Sequence, residues 1–265
     1  MKPRFTGWTR LLLLLSVFAC LATQARAQTL DAIEKRGTLL VGVNLATPPF
    51  GTTDSEMQPA GYDVEVAKLL ANDLGVKLQF VPVTNDTRIP TLLTGKADVI
   101  IASLQITTER AKSVMFSSPY GMHQSMVLAP EQTKISSLSD LAGKSIGVAR
   151  GSVYADILQH ANIPNLKLIQ FQDDSATMNA LVAGQVDAIG TVSFLANALE
   201  KRYPDRHFEK KIALRDNFLA IGLRRGDFDL LRWLNTFIFL HKENGDLSRL
   251  STTWLGQPMP DLPSF

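Results

Sequence analysis

The feature that most constrains the fold is an alternation of short apolar runs with helical stripes. Residues 38–44, 77–83 and 99–102 are apolar runs of strand length, and residues 62–74 and 88–94 carry apolar side chains at helical spacing. A strand that rejoins its sheet through a helix runs parallel to the strand before it. The first part of the chain therefore predicts a parallel sheet flanked by helices.

The same alternation returns in the second half of the chain. Predicted strands cover residues 145–149, 166–171 and 186–189, and predicted helices cover residues 153–160, 175–183 and 194–202. A further strand at 217–224 precedes two helices with apolar faces, at 227–243 and 247–255. This order predicts the α/β class, with two lobes that each have a mainly parallel sheet of their own and a cleft between them.

The first 27 residues have the pattern of an export signal. Basic residues at positions 2, 4 and 10 precede an apolar segment, residues 11–22, which is too short to span a bilayer. Residues 25–27 (ARA) fit the A-x-A cleavage pattern, so we expect a mature chain that starts at Gln28 and is released into the periplasm. Residues 17–20 (VFAC) leave a second possibility open, a lipoprotein that is acylated at Cys20.

The charge balance changes when this segment is removed. The full chain has 27 basic and 25 acidic residues, and residues 1–27 contain four of the basic ones, so 23 remain against 25, a net charge of −2. Such a balance offers no basic field for nucleic acid or an anionic membrane. The single cysteine is removed as well, and no second apolar run reaches membrane-spanning length. We therefore expect no disulfide and no stable membrane insertion.

Two anion-friendly positions follow predicted strands. Arg110 lies just beyond the strand at 99–102, and a guanidinium can hold a planar carboxylate through two hydrogen bonds. Gly151 and Ser152 open a helix after the strand at 145–149, where free backbone N–H groups favour anions. In open α/β sheets, ligands bind in the crevice outside the strand ends. Taken alone, Arg110 is also explained by an ion pair with Glu109 or another surface acid, and Ser152 by an ordinary N-cap.

Catalytic sites have little support in the sequence. The chain lacks the H-E-x-x-H, C-x-x-C, G-x-S-x-G and G-x-x-x-x-G-K-[ST] motifs, and its four histidines are scattered. We therefore predict a binding protein with no metal, no cofactor and no catalytic residue. Its candidate ligand groups are Arg110, Ser103, Gln105 and Ser152, together with Phe50, which is either a ligand surface or a core residue beneath its loop.

Several segments resemble the family 3 periplasmic solute-binding proteins of polar amino acid ABC transporters. They occur in the family's order over nearly the whole mature chain: residues 39–50 (LLVGVNLATPPF), 61–64 (GYDV), 88–90 (RIP), 95–98 (GKAD), 107–112 (TTERAK) and 116–120 (FSSPY). The resemblance implies a two-lobed Venus-flytrap fold with a discontinuous first lobe. Lobe 1 would comprise residues 28–121 and 221–265, lobe 2 residues 125–217, and the hinge strands would lie near 121–125 and 217–221.

The resemblance also implies roles for individual residues. Arg110 matches the arginine that clamps the ligand's α-carboxylate, and Ser103 and Gln105 match positions that hydrogen-bond the ligand. Gln105 departs from the more usual Ser or Thr. Ser152 and the backbone of Val153 match the second-lobe amides that complete the carboxylate site.

Other positions depart from the family pattern. The acid that pairs with the ligand's ammonium group falls at Val192, beside Thr191, and valine cannot pair with a charge. Either a nearby carboxylate replaces it or the ligand has no α-amino group, because a buried unpaired ammonium costs several kcal/mol. The acid that selects basic amino acids falls at Asn44, which disfavours lysine and arginine as ligands. The positions of the two rings that enclose the ligand side chain fall near Thr47 and Asn85.

Arg88 has two possible roles. Its position resembles that of the acidic amino acid binders, where it would hold a second carboxylate, and the alternative is helix packing or a surface ion pair.

The resemblance implies a periplasmic receptor that closes on an amino acid or a related small carboxylate and delivers it to an ABC permease. The alternative is a periplasmic enzyme on the same scaffold, similar to the cyclohexadienyl or arogenate dehydratases. That function needs a general acid in the cleft, and the sequence offers no convincing one.

Overall fold

The computed structural model describes residues 29–263. The predicted signal peptide, its cleavage site and Cys20 lie outside these residues. The strands are β1 Thr38–Val43, β2 Thr52–Thr53, β3 Pro59–Ala60, β4 Lys77–Pro82, β5 Val99–Ile100, β6 Val114–Pro130, β7 Ser145–Ala149, β8 Lys167–Phe171, β9 Ala188–Val192 and β10 Phe208–Arg224. The helices are α1 Thr29–Arg36, α2 Tyr62–Asp73, α3 Arg88–Leu93, α4 Thr108–Ala111, α5 Val153–His160, α6 Asp174–Val182, α7 Ser193–Arg202, α8 Phe228–Glu243 and α9 Asp246–Leu255.

The strands form an α/β fold with two lobes. In the first lobe, β1 pairs in parallel with β4 and β5, and helices α2 and α3 pack on these strands. In the second lobe, β7 pairs in parallel with β8 and β9, and helices α5, α6 and α7 pack there. The parallel sheets and the two lobes expected from the alternation are confirmed.

One expectation about the sheets was wrong. The second lobe has no separate sheet, because all eight main strands form one sheet in the order β4-β1-β5-β10-β6-β9-β7-β8. Strands β6 and β10 are 17 residues each and pair with one another in antiparallel fashion along most of their length. They join β5 on one side and β9 on the other, so hydrogen bonding continues from one lobe into the other.

Each lobe has its own apolar core. The core of the first lobe includes Leu39, Leu70 and Phe237, and that of the second includes Val148 and Leu195, all nearly inaccessible to solvent. Helices α8 and α9 both contribute to the first core, through residues such as Phe237 and Leu247. Within residues 29–263, none of the helices is long and apolar enough to cross a membrane.

Candidate functional site

The site lies where the loops that follow the parallel strands of the two lobes meet. From the first lobe come the loops after β1, β4 and β5, and from the second come the loops after β7 and β8. Hydrogen bonds join the two sets, among them one from the Ser175 hydroxyl to the carbonyl oxygen of Ala46 at 3.1 Å. The loops at the strand ends of the two lobes therefore meet, and their junction, here called the cleft, has two walls that are in contact.

Arg110 connects the two walls. Its Nη1 donates to the backbone and side-chain oxygens of Gln105, each at 2.9 Å, and its Nη2 donates to the carbonyl oxygen of Gly151 in the second lobe at 3.0 Å. The N-cap bond from its own backbone N–H to the Thr107 hydroxyl fixes the short helix that carries it. The pKa of Arg110 is lowered to about 9, mainly by burial and to a smaller extent by the positive charge of Arg88. It does not form the surface ion pair that the sequence left open: Glu109 pairs instead with Lys112.

Arg88 is completely buried, so a surface ion pair is excluded for it. Its Nη1 donates to the carbonyl oxygens of Ala102 and Ser103 at 2.8 and 3.3 Å, and its Nη2 donates to Gln105 Oε1 at 3.2 Å. Its Nε has no hydrogen-bond partner among residues 29–263. Burial lowers the pKa of Arg88 to about 10, and Asp174 is the charge that most opposes this shift. Arg88 thus shapes the loop after β5, and within residues 29–263 it forms no ion pair with a carboxylate.

Gln105 is the centre of a polar network. Its Oε1 accepts from both guanidinium groups, so its Nε2 is the end that faces His123 Nε2, at 3.1 Å. His123 Nε2 must then accept, which places the ring proton on Nδ1. That buried atom has no partner within the described part of the chain. Burial lowers the pKa of His123 to about 3, so the ring is neutral.

Asp63 holds Ser103 from behind the cleft. Its carboxylate accepts from the Ser103 N–H at 2.6 Å and from the Tyr120 hydroxyl at 2.7 Å. Ser103 has a positive φ of 48°, a conformation that a non-glycine residue keeps only when its surroundings enforce it. Burial raises the pKa of Asp63 to about 7. The sequence pattern marked Asp63 only as part of the GYDV segment. Its role in holding Ser103 was not predicted.

The start of α5 offers fewer free amides than the sequence indicated. The Ser152 N–H donates to the Ala149 carbonyl oxygen at 3.2 Å, and the Ser152 hydroxyl accepts from the Ala155 N–H at 3.1 Å as an N-cap. The Val153 N–H donates to no other residue of the described chain. Ser152 therefore organises the helix start, and Val153 supplies an available donor.

Asp174 is the principal group that the sequence reasoning missed. It is 4% exposed, and its Oδ2 accepts from the Thr47 hydroxyl and from Asn85 Nδ2, both at 3.0 Å. Its Oδ1 accepts from the Tyr154 hydroxyl. Burial raises the pKa of Asp174. The available signal was its place at the start of a helix after a parallel strand, the same signal that drew attention to Ser152.

Asn44, Thr47 and Asn85 form the first-lobe wall opposite Asp174. Asn44 Nδ2 lies 3.5 Å from Asn85 Oδ1, and Asn44 Oδ1 accepts from the Ala46 N–H. Thr47 and Asn85, the two positions where the family pattern has rings, both carry polar side chains and bond to Asp174.

Three of the candidate ligand residues lie in packed surroundings. Phe50 is fully buried and makes edge-to-face ring contacts with Tyr62 at 6.2 Å and with Phe194 at 5.6 Å. Of the two roles considered for it, these contacts fit that of a core residue beneath its loop. Val192 is 2% exposed and belongs to the second-lobe core. Thr191, beside it, is 2% exposed and pairs with Met126 in the sheet.

The chain is similar to known proteins in both sequence and fold. Residues 39–257 match the model of the bacterial extracellular solute-binding proteins, family 3. The L-cystine-binding protein TcyJ of Escherichia coli (strain K12) is 32% identical over 229 residues, 86% of each chain. The solute receptor for L-cysteine of Neisseria gonorrhoeae has a TM-score of 0.81 at 32% identity, over 85% of this chain and 93% of that one. The ancestral amino acid-binding protein AncCDT-1, a precursor of cyclohexadienyl dehydratase, has a TM-score of 0.77 at 34% identity, over 86% and 99%.

Proposed function

The chain belongs to the bacterial extracellular solute-binding proteins of family 3, and we propose that it is the periplasmic receptor of an ABC importer for an amino acid or a related small carboxylate. The observation that carries this proposal is a pair of arginines, of which Arg88 is fully buried and Arg110 is partly buried. Arg88 and Arg110 donate only to uncharged oxygens, and no residue of the described chain forms an ion pair with either.

Buried cations without an anion are costly. A buried charge normally has a partner, and leaving one unpaired costs about 3–5 kcal/mol. A ligand carboxylate can replace the carbonyl oxygens that Arg110 now contacts, and such charge-assisted bonds are roughly twice as strong as neutral ones. Because Arg110 contacts both lobes, a carboxylate bound there stabilises the closed arrangement over an open one.

The lobe boundaries and partners of this proposal are those implied by the family. We place lobe 1 at residues 28–121 and 221–265, lobe 2 at residues 125–217, and the hinge where β6 and β10 pass between them. The TcyJ protein and the N. gonorrhoeae receptor are binding proteins, which supports the assignment of this chain as a receptor and not an enzyme. We further propose export by the N-terminal signal and docking of the closed form on a membrane permease.

Replacing Arg110 with Ala tests the proposal. Removing one partner of a buried charge pair costs about 2–5 kcal/mol, so ligand affinity should fall by about 30-fold to several thousand-fold. Isothermal titration calorimetry measures this loss. The matched control is Lys112→Ala, which removes an exposed cation two residues away and should leave affinity unchanged. Unchanged ligand affinity in the Arg110→Ala variant would contradict the assignment of the chain as a carboxylate receptor.

One observation favours the enzyme alternative enough to test it. Asp174 is a buried cleft carboxyl with a raised pKa, a property that a general acid requires, and AncCDT-1 is a precursor of a dehydratase. Incubating the protein with prephenate or arogenate, and following the aromatic product by its ultraviolet absorbance, distinguishes the two functions. We expect no turnover; product formation that is lost in Asp174→Asn would replace the receptor assignment.

A further inference from the structure

The cleft contains unpaired charges of both signs. Arg88 and Arg110 have no carboxylate in contact, and Asp174 has no cation in contact among residues 29–263, since its hydrogen bonds come from a threonine, an asparagine and a tyrosine. A protein that could pair these groups with one another would lower the cost of burying them. Because neither sign is paired within the described chain, the arrangement suits a ligand that carries charges of both signs itself.

Asp174 has the capacity and position to hold a cationic group. A carboxylate has about four acceptor sites, and the described contacts of Asp174 use three of them. The first turn of α5 links it to the carboxylate clamp, because Gly151 accepts from Arg110 and Tyr154 donates to Asp174. Gly151 also lies against Asn85, the donor to Asp174, because a Cβ atom on Gly151 would be 2.9 Å from the Asn85 carbonyl carbon.

Val192 cannot provide this charge. It lies in the apolar core of the second lobe among residues such as Val148 and Leu195, and it carries no polar side-chain atom. Asp174 follows β8 and faces the first-lobe residues Thr47 and Asn85, whereas Val192 ends β9 within the core of the same lobe. An acid at position 174 can therefore take over the role of the missing acid without any change in the second-lobe core.

We propose that Asp174 binds the ammonium group of the ligand, so that the cleft selects zwitterionic amino acids over carboxylic acids that lack an amino group. The inference rests on the proposed function as a carboxylate-binding receptor and adds the second recognised group. The ligand ammonium replaces neutral donors of Asp174 with a charged one, while the ligand carboxylate does the same for Arg110. Selectivity then arises because a deaminated acid leaves Asp174 buried without a cation.

Matched ligand pairs test this inference by calorimetry. The pairs are L-cysteine with 3-mercaptopropionate, L-glutamine with 4-carbamoylbutyrate, and L-glutamate with glutarate, each differing only in the ammonium group. The wild-type protein should prefer the amino acid of the pair that it binds best by about 30-fold or more. Asp174→Asn should bring the two affinities within a few-fold of each other. The matched control Asp156→Asn removes an exposed acid from α5 and should keep the preference.

The outcomes separate this inference from the proposed function. A wild-type preference for the deaminated acids, or a preference that survives in Asp174→Asn, overturns the role of Asp174 while the receptor assignment stands. No binding of any member of the panel overturns both. If Asp174→Asn does not fold by circular dichroism, Asp174→Ser provides a smaller neutral side chain whose hydroxyl can still contact Thr47 and Asn85, with the same expected loss of preference. The wild-type comparison needs no variant and by itself can contradict the inference.

Discussion

At the scale of single residues, Asp63 is the best example of a side chain that shapes the cleft without facing the ligand. It fixes the Ser103 amide and the Tyr120 hydroxyl, and Tyr62 in turn donates to the Tyr120 carbonyl oxygen at 2.6 Å. These bonds hold Ser103 in its unusual backbone conformation. The loop that presents Gln105 to Arg110 therefore depends on a carboxyl that is 1% exposed.

The stability of the protein should depend on the protonation of Asp63. Its folded-state pKa of about 7 lies above the value of about 3.9 for an unfolded aspartate, so its contribution is fully present below about pH 4 and is lost as pH rises through about 7. Between about pH 5 and about pH 8, this carboxyl should lower the free energy of unfolding by on the order of 2–3 kcal/mol.

The variant Asp63→Asn isolates this contribution. Denaturant unfolding at the two pH values should show that the wild-type protein loses more stability on going to about pH 8 than the variant does. Other carboxylates titrate in both proteins, so the difference between the two reports on Asp63. Equal losses in the two proteins would contradict the assignment of a raised pKa to this residue.

The sequence predicted some of the site residues and missed others for a physical reason. Arg110 was predicted for two reasons. It follows a strand, and it belongs to one of the segments that occur in the family's order. The environments of Arg88 and His123 depend on contacts with Gln105, which no local pattern reveals. Asp174 was missed because its partners Thr47 and Asn85 are 127 and 89 residues away in sequence and meet it only when the lobes come together.

At the scale of secondary-structure elements, the start of α5 depends on Ser152. The serine hydroxyl accepts from the Ala155 N–H, so Ser152→Ala should lower the free energy of unfolding by about 1 kcal/mol. Ser152→Gly should cost only a few tenths of a kcal/mol, because glycine is tolerated at this position. Urea unfolding of both variants measures the effect; an Ala variant as stable as the wild type would show that the cap does not stabilise the helix.

The elements themselves were largely predictable, except for the two long strands. The strand expected at 217–224 belongs to β10, which begins at Phe208, and the segment near 121–125 belongs to β6, which begins at Val114. The early part of β10 carries exposed charges such as Glu209 and Lys210, so no apolar run marks it. It is a strand because it pairs with β6, a long-range contact that overrides local preference. The strand expected at 186–189 lies instead at Ala188–Val192.

At the scale of the whole molecule, the backbone of the second lobe lies in direct contact with that of the first lobe at Gly151. A Cβ atom on this glycine would lie 2.7 Å from the Cα and N atoms of Asp86 in the first lobe. Its φ of +72° also lies in the left-handed region, which favours glycine. The position therefore requires glycine on two counts, one local and one between the lobes.

Gly151→Ala should prevent full closure. Overpacking of this kind costs typically about 1–3 kcal/mol, so ligand affinity should fall by about 5- to 150-fold. The matched control is Gly184→Ala, where φ is +69° and nothing lies within 4 Å of the added Cβ. That variant has the same local strain and should keep its affinity. Calorimetry of both variants separates the local backbone strain from the contact between the lobes. Equal affinities would show that the contact of Gly151 with Asp86 does not control binding.

The fold class and the two lobes were evident in the alternation of strands and helices, while the closed arrangement was not. Closure depends on contacts such as those of Arg110 with Gly151 and of Asp174 with Thr47, each joining residues far apart in the chain. These contacts place the buried Arg88, the partly buried Arg110 and the buried Asp174 in a single cleft. The charge arrangement is the basis for the claim that the molecule is an amino acid receptor.

The most direct test of that claim is a titration of the wild-type protein with the proteinogenic amino acids. The protein should first be unfolded in guanidinium chloride and refolded, so that any retained ligand is removed. We expect at least one amino acid to bind with one-to-one stoichiometry in the calorimeter and to raise the melting temperature of the protein. Absence of binding by every amino acid would contradict the account.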